Sequence, residues 1–118
     1  MKLSNIKGER SFYVVAELID PIANISLDAD ASEIFARKPL PDGMTVKEFL
    51  VQRIRASVPL LLMNHTKDLV KILTAIGGVT EEEYLESLTP DKLIVDFVEL
   101  MTDEVFTAFF TSAQSKGT

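Results

Sequence analysis

The sequence has no cysteine, one histidine and no long apolar run, and each absence excludes a class of structure or site. Without cysteine, a disulfide framework, a thiolate metal site and a cysteine nucleophile are excluded. The longest apolar run, residues 58–63, is much shorter than the ~20 apolar residues of a membrane-spanning helix. The first residues have no apolar core of signal-peptide length. We therefore expect a soluble protein that does not bind membranes and remains in the cytoplasm where it is made.

The net charge is −6 at pH 7, and the charges are unevenly distributed along the chain. Residues 1–36 carry three basic and six acidic groups, residues 37–71 carry seven and three, and residues 72–118 carry two and nine. An acidic chain is not expected to bind nucleic acid, because neutralising phosphates requires clustered Lys and Arg. Two interpretations of the pattern stay open. The basic middle and the acidic end attract each other, within the fold or between copies, or they are solvated faces that merely differ in charge.

Helix-start signals recur along the chain. Four threonines stand just before an apolar run: Thr45, Thr80, Thr89 and Thr102. Residues 45–48 and 80–83 have the pattern of a capping box, in which the threonine oxygen and a glutamate three residues later satisfy free backbone N–H groups. Pro90 follows one threonine at the first helical position, and Gly77 and Gly78 follow an apolar run where a left-handed helix end is expected. The pattern predicts an all-α protein of six or seven short helices.

The chain length is typical of one domain, so residues 1–118 are predicted to form a single compact helical domain whose tail, residues 112–118, is frayed. Short helices are expected at four places: residues 31–37, 81–88, 90–101 and 103–113. The first of these is predicted to carry Ile34 and Phe35 inward. Asn64 is the predicted cap of the helix that follows it.

Two prolines interrupt helical segments. Pro21 lies within the apolar periodicity of the first long helix, so we expect two segments with a bend, the second capped by Asp20. Pro59 predicts another break or kink. The turn after it, residues 60–63, is apolar on every face and is expected at the buried centre. Residues 38–43 contain two prolines and a glycine, and they predict a loop.

No group of residues has the pattern of a catalytic or metal site. His65 has Asp68 three residues later but no neighbouring nucleophile, and a lone histidine cannot make a typical zinc site. The glutamates of residues 81–86 are explained by a capped helix start, and Gly77-Gly78 lacks the lysine of a phosphate loop. We therefore predict no enzymatic activity, no metal, no cofactor and no small-molecule ligand.

The last two predicted helices carry more apolar side chains than one face of a small domain readily hides. The partner-binding surface predicted from them consists of Leu93, Phe97, Met101, Phe106, Phe109 and Phe110. Exposed apolar patches of this kind mark interaction sites. The alternative is a core packed from two directions, in which these side chains face inward.

Four phrases of the sequence are characteristic of one family. They are KLSNIKGER at residues 2–10, LIDPIANI at 18–25, LPDGMTVKEFL at 40–50 and SAQSK at 112–116. Through them, the chain resembles over nearly its whole length the short tail assembly chaperones of long-tailed phages and prophages of low-GC Gram-positive bacteria.

The resemblance implies a binding protein rather than an enzyme. Such chaperones bind the long helical tape-measure protein and keep it soluble before the tail tube polymerises around it. They act in the cytoplasm of the bacterial host and are absent from the mature virion. The family has no agreed catalytic residues to transfer. A groove for an apolar helix would suit this role, and a chaperone lining a rod is also expected to form homo-oligomers.

Two alternatives to this function remain at the level of the sequence. One is a structural subunit that stays in the particle, such as a head–tail connector or a tail-completion protein. The other is a small acidic regulator that binds a host protein, with its acidic surface imitating nucleic acid.

Overall fold

The computed structural model describes residues 2–35 and 38–116, with side chains as far as Ser112. Seven α-helices occur in these ranges: α1 (Arg10–Ser26), α2 (Ala29–Ser32), α3 (Val46–Asn64), α4 (Thr66–Gly77), α5 (Glu81–Ser87), α6 (Pro90–Thr102) and α7 (Glu104–Lys116). Two short 3-10 turns lie at Leu3–Asn5 and Glu33–Phe35. The described ranges contain no strand, which confirms the predicted all-α class. The molecule measures 44 × 32 × 24 Å along its principal axes.

The predicted helix starts are confirmed at three threonines. The Thr45 hydroxyl oxygen accepts a hydrogen bond from the Glu48 N–H at 3.1 Å, and the Glu48 carboxylate accepts one from the Thr45 N–H at 3.2 Å. These bonds from Thr45 lower the pKa of Glu48. Thr80 makes the same capping box at the start of α5, and Thr89 caps α6 with Pro90 as the first helical residue.

Neither proline ends a helix, so the second segment predicted at Pro21 is wrong, and so is the first of the two possibilities at Pro59, a break rather than a kink. α1 continues through Pro21 without a second start at Asp20, and α3 continues through Pro59. Pro21 is buried in the face of α1 that meets the core, so burial of its ring offsets the missing backbone hydrogen bond. The turn after Pro59 is not the buried centre that was expected. Leu61 is fully buried there, but Met63 is 81% exposed.

Two predicted helix boundaries shift by one residue. Asn64 is the last residue of α3, and His65 rather than Asn64 precedes α4. Thr102 is the last residue of α6 and does not cap α7. Asp103 takes that role, since its Oδ1 accepts from the N–H groups of Val105 at 3.0 Å and Phe106 at 3.4 Å. A carboxylate satisfies free N–H groups at a helix start and also complements the helix dipole.

The other predicted segments are placed as follows. Residues 38–43 form the predicted loop. The helix predicted at 31–37 is divided between α2 and the second 3-10 turn, and residues 36 and 37 lie outside the described ranges. The predicted frayed tail is helical as far as Lys116, and its last two residues lie outside the described ranges.

The core lies where α1 meets α4 and α7. α2 and the second 3-10 turn cover α3 on one side, and α7 packs against α1, α6 and both 3-10 turns. Phe35, buried as predicted, contacts three other rings, with centroid distances of 5.8 Å to Phe97 and 5.2 Å to both Phe106 and Phe110. Each such aromatic pair contributes about 0.5–1.5 kcal/mol beyond the burial of area. The phenylalanine cluster therefore joins the second 3-10 turn to the two last helices.

Candidate functional site

The six residues predicted to bind a partner fall into two groups in the structure. Phe106 and Phe110 are fully buried, so the expectation that they are exposed is wrong. The turn at Asp103 folds α7 back onto α1, and Phe35 supplies an aromatic neighbour that helical periodicity alone cannot reveal. Phe109 is half-buried and packs against the edge of the core. These three residues belong to the interior of the domain or to its edge.

The other three predicted residues lie together. Leu93, Phe97 and Met101 line one wall of a groove of about 220 Å³ between α6 and α3. We call this the α3–α6 groove, and its lining is Ile54, Val58 and Leu62 from α3 with Leu93, Ile94, Phe97, Val98 and Met101 from α6. All eight lining side chains are apolar. The structure thus brings half of the predicted set to one surface and adds a wall that the sequence analysis did not identify.

The spacing of these residues explains the two walls. Ile54, Val58 and Leu62 follow each other at steps of four, so they form one stripe along α3. The α6 residues recur at three- and four-residue steps and form a facing stripe. The missed α3 wall had this signal in the sequence, but the same stripe is compatible with an interior position.

The groove is open to solvent on its α6 side. Ile94 is 63% exposed and Val98 is 47% exposed, whereas Phe97 at the base is only 9% exposed. Exposed apolar side chains that line a groove together are one of the features of binding grooves. The groove can therefore bind apolar side chains of another protein, and Phe97 forms its floor.

A charged residue precedes the apolar residues of each wall along its helix. Arg55 on α3 lies one turn before Val58, and Asp91 on α6 lies one turn before Ile94; both charged residues are exposed. A charged rim around an apolar centre is the usual anatomy of a protein interface. In interfaces of that anatomy, the charged rim orients the partner and the apolar centre supplies the free energy of binding.

His65 lies in a separate cluster. Its Nε2 is 2.9 Å from Asp28 Oδ2, and its Nδ1 is 3.1 Å from Asp68 Oδ2. Asn24 donates to the other oxygen of Asp68 at 3.1 Å. Burial lowers the pKa of His65, but the hydrogen bonds to Asp28 and Asp68 outweigh burial, so its pKa is raised. The cluster ties the turn between α1 and α2 to the start of α4, and no metal-binding group is found among the residues that the structure describes.

A second polar cluster joins α5 to α6. The Tyr84 hydroxyl donates to Asp96 Oδ2 at 2.7 Å, and the same oxygen accepts from Lys92 Nζ at 2.8 Å. Lys92 Nζ also lies 4.5 Å from the centroid of the Tyr84 ring. Burial, together with the bond to Asp96, raises the pKa of Tyr84. The only signal of this cluster in the sequence is weak, the spacing of four residues between Lys92 and Asp96.

Comparisons of the chain with protein families, curated proteins and solved structures found no match. None of the described helices combines the length and the hydropathy that crossing a bilayer requires.

Proposed function

We propose that this protein is a phage tail assembly chaperone that binds a helical segment of a tape-measure protein and keeps it soluble while the tail tube forms. The observation that carries the proposal is the α3–α6 groove, whose eight lining side chains are all apolar. The resemblance of the sequence to short tail assembly chaperones is the reason for proposing a tape-measure protein as the client. Under this proposal the protein acts in the cytoplasm of the bacterial host and is absent from the mature virion.

The length of the groove is compatible with a bound helix. The distance from Ile54 to Leu62 along α3 is about 12 Å at 1.5 Å per residue, which corresponds to two turns of a bound helix. An amphipathic helix inserts anchors at positions i, i+3 or i+4, and i+7 into a groove of this length. Phe97 at the floor and Ile94 at the edge would contact successive anchors.

The proposed activity needs no covalent chemistry. An isolated helix with an apolar stripe associates with its own copies, and covering that stripe removes the driving force for aggregation. The net charge of −6 keeps a complex with an apolar client in solution. The free energy of the interaction comes from burying Ile94, Val98 and their neighbours, which solvent reaches in the free protein.

Co-expression with the tape-measure protein tests the proposal. In a variant with Ile94→Glu and Val98→Glu the groove carries two charges, and we expect the client to precipitate. Glutamate is a good helix former, so α6 should persist. The matched control is Leu85→Glu on α5, which changes another exposed apolar residue outside the groove. Equal amounts of soluble client with both variants, each showing normal helicity by circular dichroism, would contradict the proposal.

Mass spectrometry of purified virions separates a chaperone from a structural subunit. A chaperone should be missing from the finished particle, while a head–tail connector or a tail-completion protein should be present in a fixed copy number. The position of the gene separates both from a host-binding regulator, because a chaperone gene should lie directly before a very long helical reading frame.

A further inference from the structure

The apolar wall that α3 contributes to the α3–α6 groove continues beyond the groove. Val46 and Leu50 precede Ile54 at steps of four residues, so they form one continuous line along the helix with Ile54, Val58 and Leu62. We call these five residues the α3 ridge. Its last two side chains are half-buried and pack against the core, whereas Val46 is 71% exposed, Leu50 41% and Ile54 37%. The groove therefore uses only the second half of a longer apolar surface.

The α3 ridge is long enough to contact a helix of about four turns. The distance from Val46 to Leu62 along α3 is about 24 Å at 1.5 Å per residue, which is twice the length of the groove wall. A bound helix whose anchors fill the groove can continue over Leu50 and Val46 and still contact apolar side chains. Burial of these two side chains adds to the free energy of binding, because solvent reaches both of them in the free protein.

Two basic side chains lie beside the exposed half of the α3 ridge. Lys47 and Arg55 are exposed, and each directly follows a ridge residue in the sequence. With Val51 midway between them, they line an open depression of about 570 Å³. Neither makes an ion pair with another residue that the structure describes. The neighbouring carboxylate of Glu48 accepts from the N–H of Thr45 at 3.2 Å and is directed to the start of the helix.

We propose that the helix bound in the α3–α6 groove extends over the exposed half of the α3 ridge and carries acidic side chains there, which pair with Lys47 and Arg55. This chemistry of the client rests on the proposed function, because a helix must occupy the groove. A basic segment would bring like charges together beside α3, so the two basic side chains select among apolar helices that the groove alone would bind equally.

Two synthetic helical peptides with the same apolar anchors test the proposal. One carries glutamates next to the anchors at both ends of the peptide, and the other carries lysines at the same positions, so the direction in which the helix binds does not affect the comparison. Isothermal titration calorimetry at low salt should show that the acidic peptide binds wild type about tenfold more tightly, the order expected when two exposed ion pairs replace two repulsive contacts. High salt should reduce the difference, since salt screens exposed charges.

Three variants identify the surface responsible. Lys47→Glu with Arg55→Glu should invert the preference, so that the basic peptide binds more tightly. The matched control, Lys7→Glu with Lys67→Glu, changes the net charge equally at two exposed lysines outside α3 and should keep the preference of wild type. Ile94→Gln with Val98→Gln leaves the charge unchanged and should weaken both peptides alike. Circular dichroism verifies the fold of each variant, whose altered side chains are all exposed.

A preference that the α3 variant retains, or that the lysine control also inverts, would overturn the proposal and leave the role of the groove intact. A second copy of the chain as the occupant of this surface would also overturn it. Sedimentation velocity would then show wild-type oligomers that the α3 variant abolishes, and the two peptides would bind equally.

Failure of both peptides to bind wild type would contradict the proposal as well. Co-expression with the tape-measure protein then tests the proposed function separately. If wild type keeps the client soluble and the groove variant does not, the proposed function stands although the acidic chemistry of the client is wrong.

Discussion

Two buried polar side chains determine how neighbouring segments meet. The Ser57 hydroxyl of α3 accepts from the Ile34 N–H at 3.1 Å and donates to the Ala31 carbonyl at 2.7 Å. Asp103 caps α7 with one oxygen and accepts from the Ser4 N–H at 3.2 Å with the other. A satisfied hydrogen bond contributes about 0.5–1.5 kcal/mol, but removing one partner costs about 1–3 kcal/mol because the buried group left behind loses its partner. These residues therefore favour one arrangement of the helices over others.

Phe106 provides a direct test of the division between core and surface on α7. Phe106→Ala should lower the free energy of unfolding by about 3–5 kcal/mol, because it removes a fully buried ring that packs on Phe35. Val105→Ala, at the preceding and half-exposed position, should change it by no more than about 0.5 kcal/mol. Urea unfolding followed by circular dichroism measures both. Similar losses for the two variants would show that Phe106 is not part of the core.

At the scale of the helices, a feature was predictable when the interactions that form it join residues close together in the sequence. The capping boxes at Thr45 and Thr80 were predictable because all of their atoms lie within four residues. Pro21 was predicted to break α1, but its burial against the rest of the domain keeps the helix continuous, and that burial is a tertiary effect. Periodicity describes a helix in isolation, so it identifies an apolar face without showing what covers it.

The same distinction between local and tertiary interactions explains which residues of the candidate site were predictable. The α6 wall of the groove was predicted from Leu93, Phe97 and Met101, because an apolar stripe on one helix is a local pattern. The α3 wall was missed, since its position opposite α6 depends on how the chain folds between them. Phe106 and Phe110 have the same local pattern as Phe97, and only their packing on Phe35 separates interior from surface.

The hydrogen bonds of His65 predict that the stability of the junction between α1, α2 and α4 depends on pH. Both ring nitrogens face carboxylate oxygens, so only the protonated ring can donate to Asp28 and Asp68 together. The pKa of His65 is raised above its ordinary value of 6.5 in the folded state. Its contribution to stability is therefore complete below about pH 6.5 and is lost as the pH rises through the folded-state pKa.

This dependence can be measured without interference from other side chains. The sequence has one histidine and no cysteine, so no other side chain ordinarily titrates between about pH 5.5 and 8. The urea midpoint of the wild-type protein should fall across this interval, and that of His65→Asn should stay nearly level. NMR titration of the single imidazole should give a pKa above 6.5. A value at or below 6.5 would mean that burial prevails over the two carboxylates.

At the scale of the whole molecule, apolar surface stays exposed outside the core. The α3–α6 groove lies beside the second half of α3, and Phe12, Val15 and Ile19 are exposed on α1. The basic residues of the middle of the chain are divided between helices, since Lys47, Arg53 and Arg55 lie on α3 while Lys67 and Lys71 lie on α4. The segregation of charge along the sequence therefore does not become one charged face.

Ligand-linked stability provides a test of the groove. A synthetic amphipathic helix from the tape-measure protein should raise the melting temperature, because a ligand that binds only the folded state stabilises it by about 2.7 kcal/mol at one hundred times its Kd. The variant with Glu17→Lys and Asp20→Lys on α1 should show the same increase as wild type, since its groove is intact. The variant with Ile94→Glu and Val98→Glu should show none. An equal increase in the groove variant would mean that the peptide binds another surface.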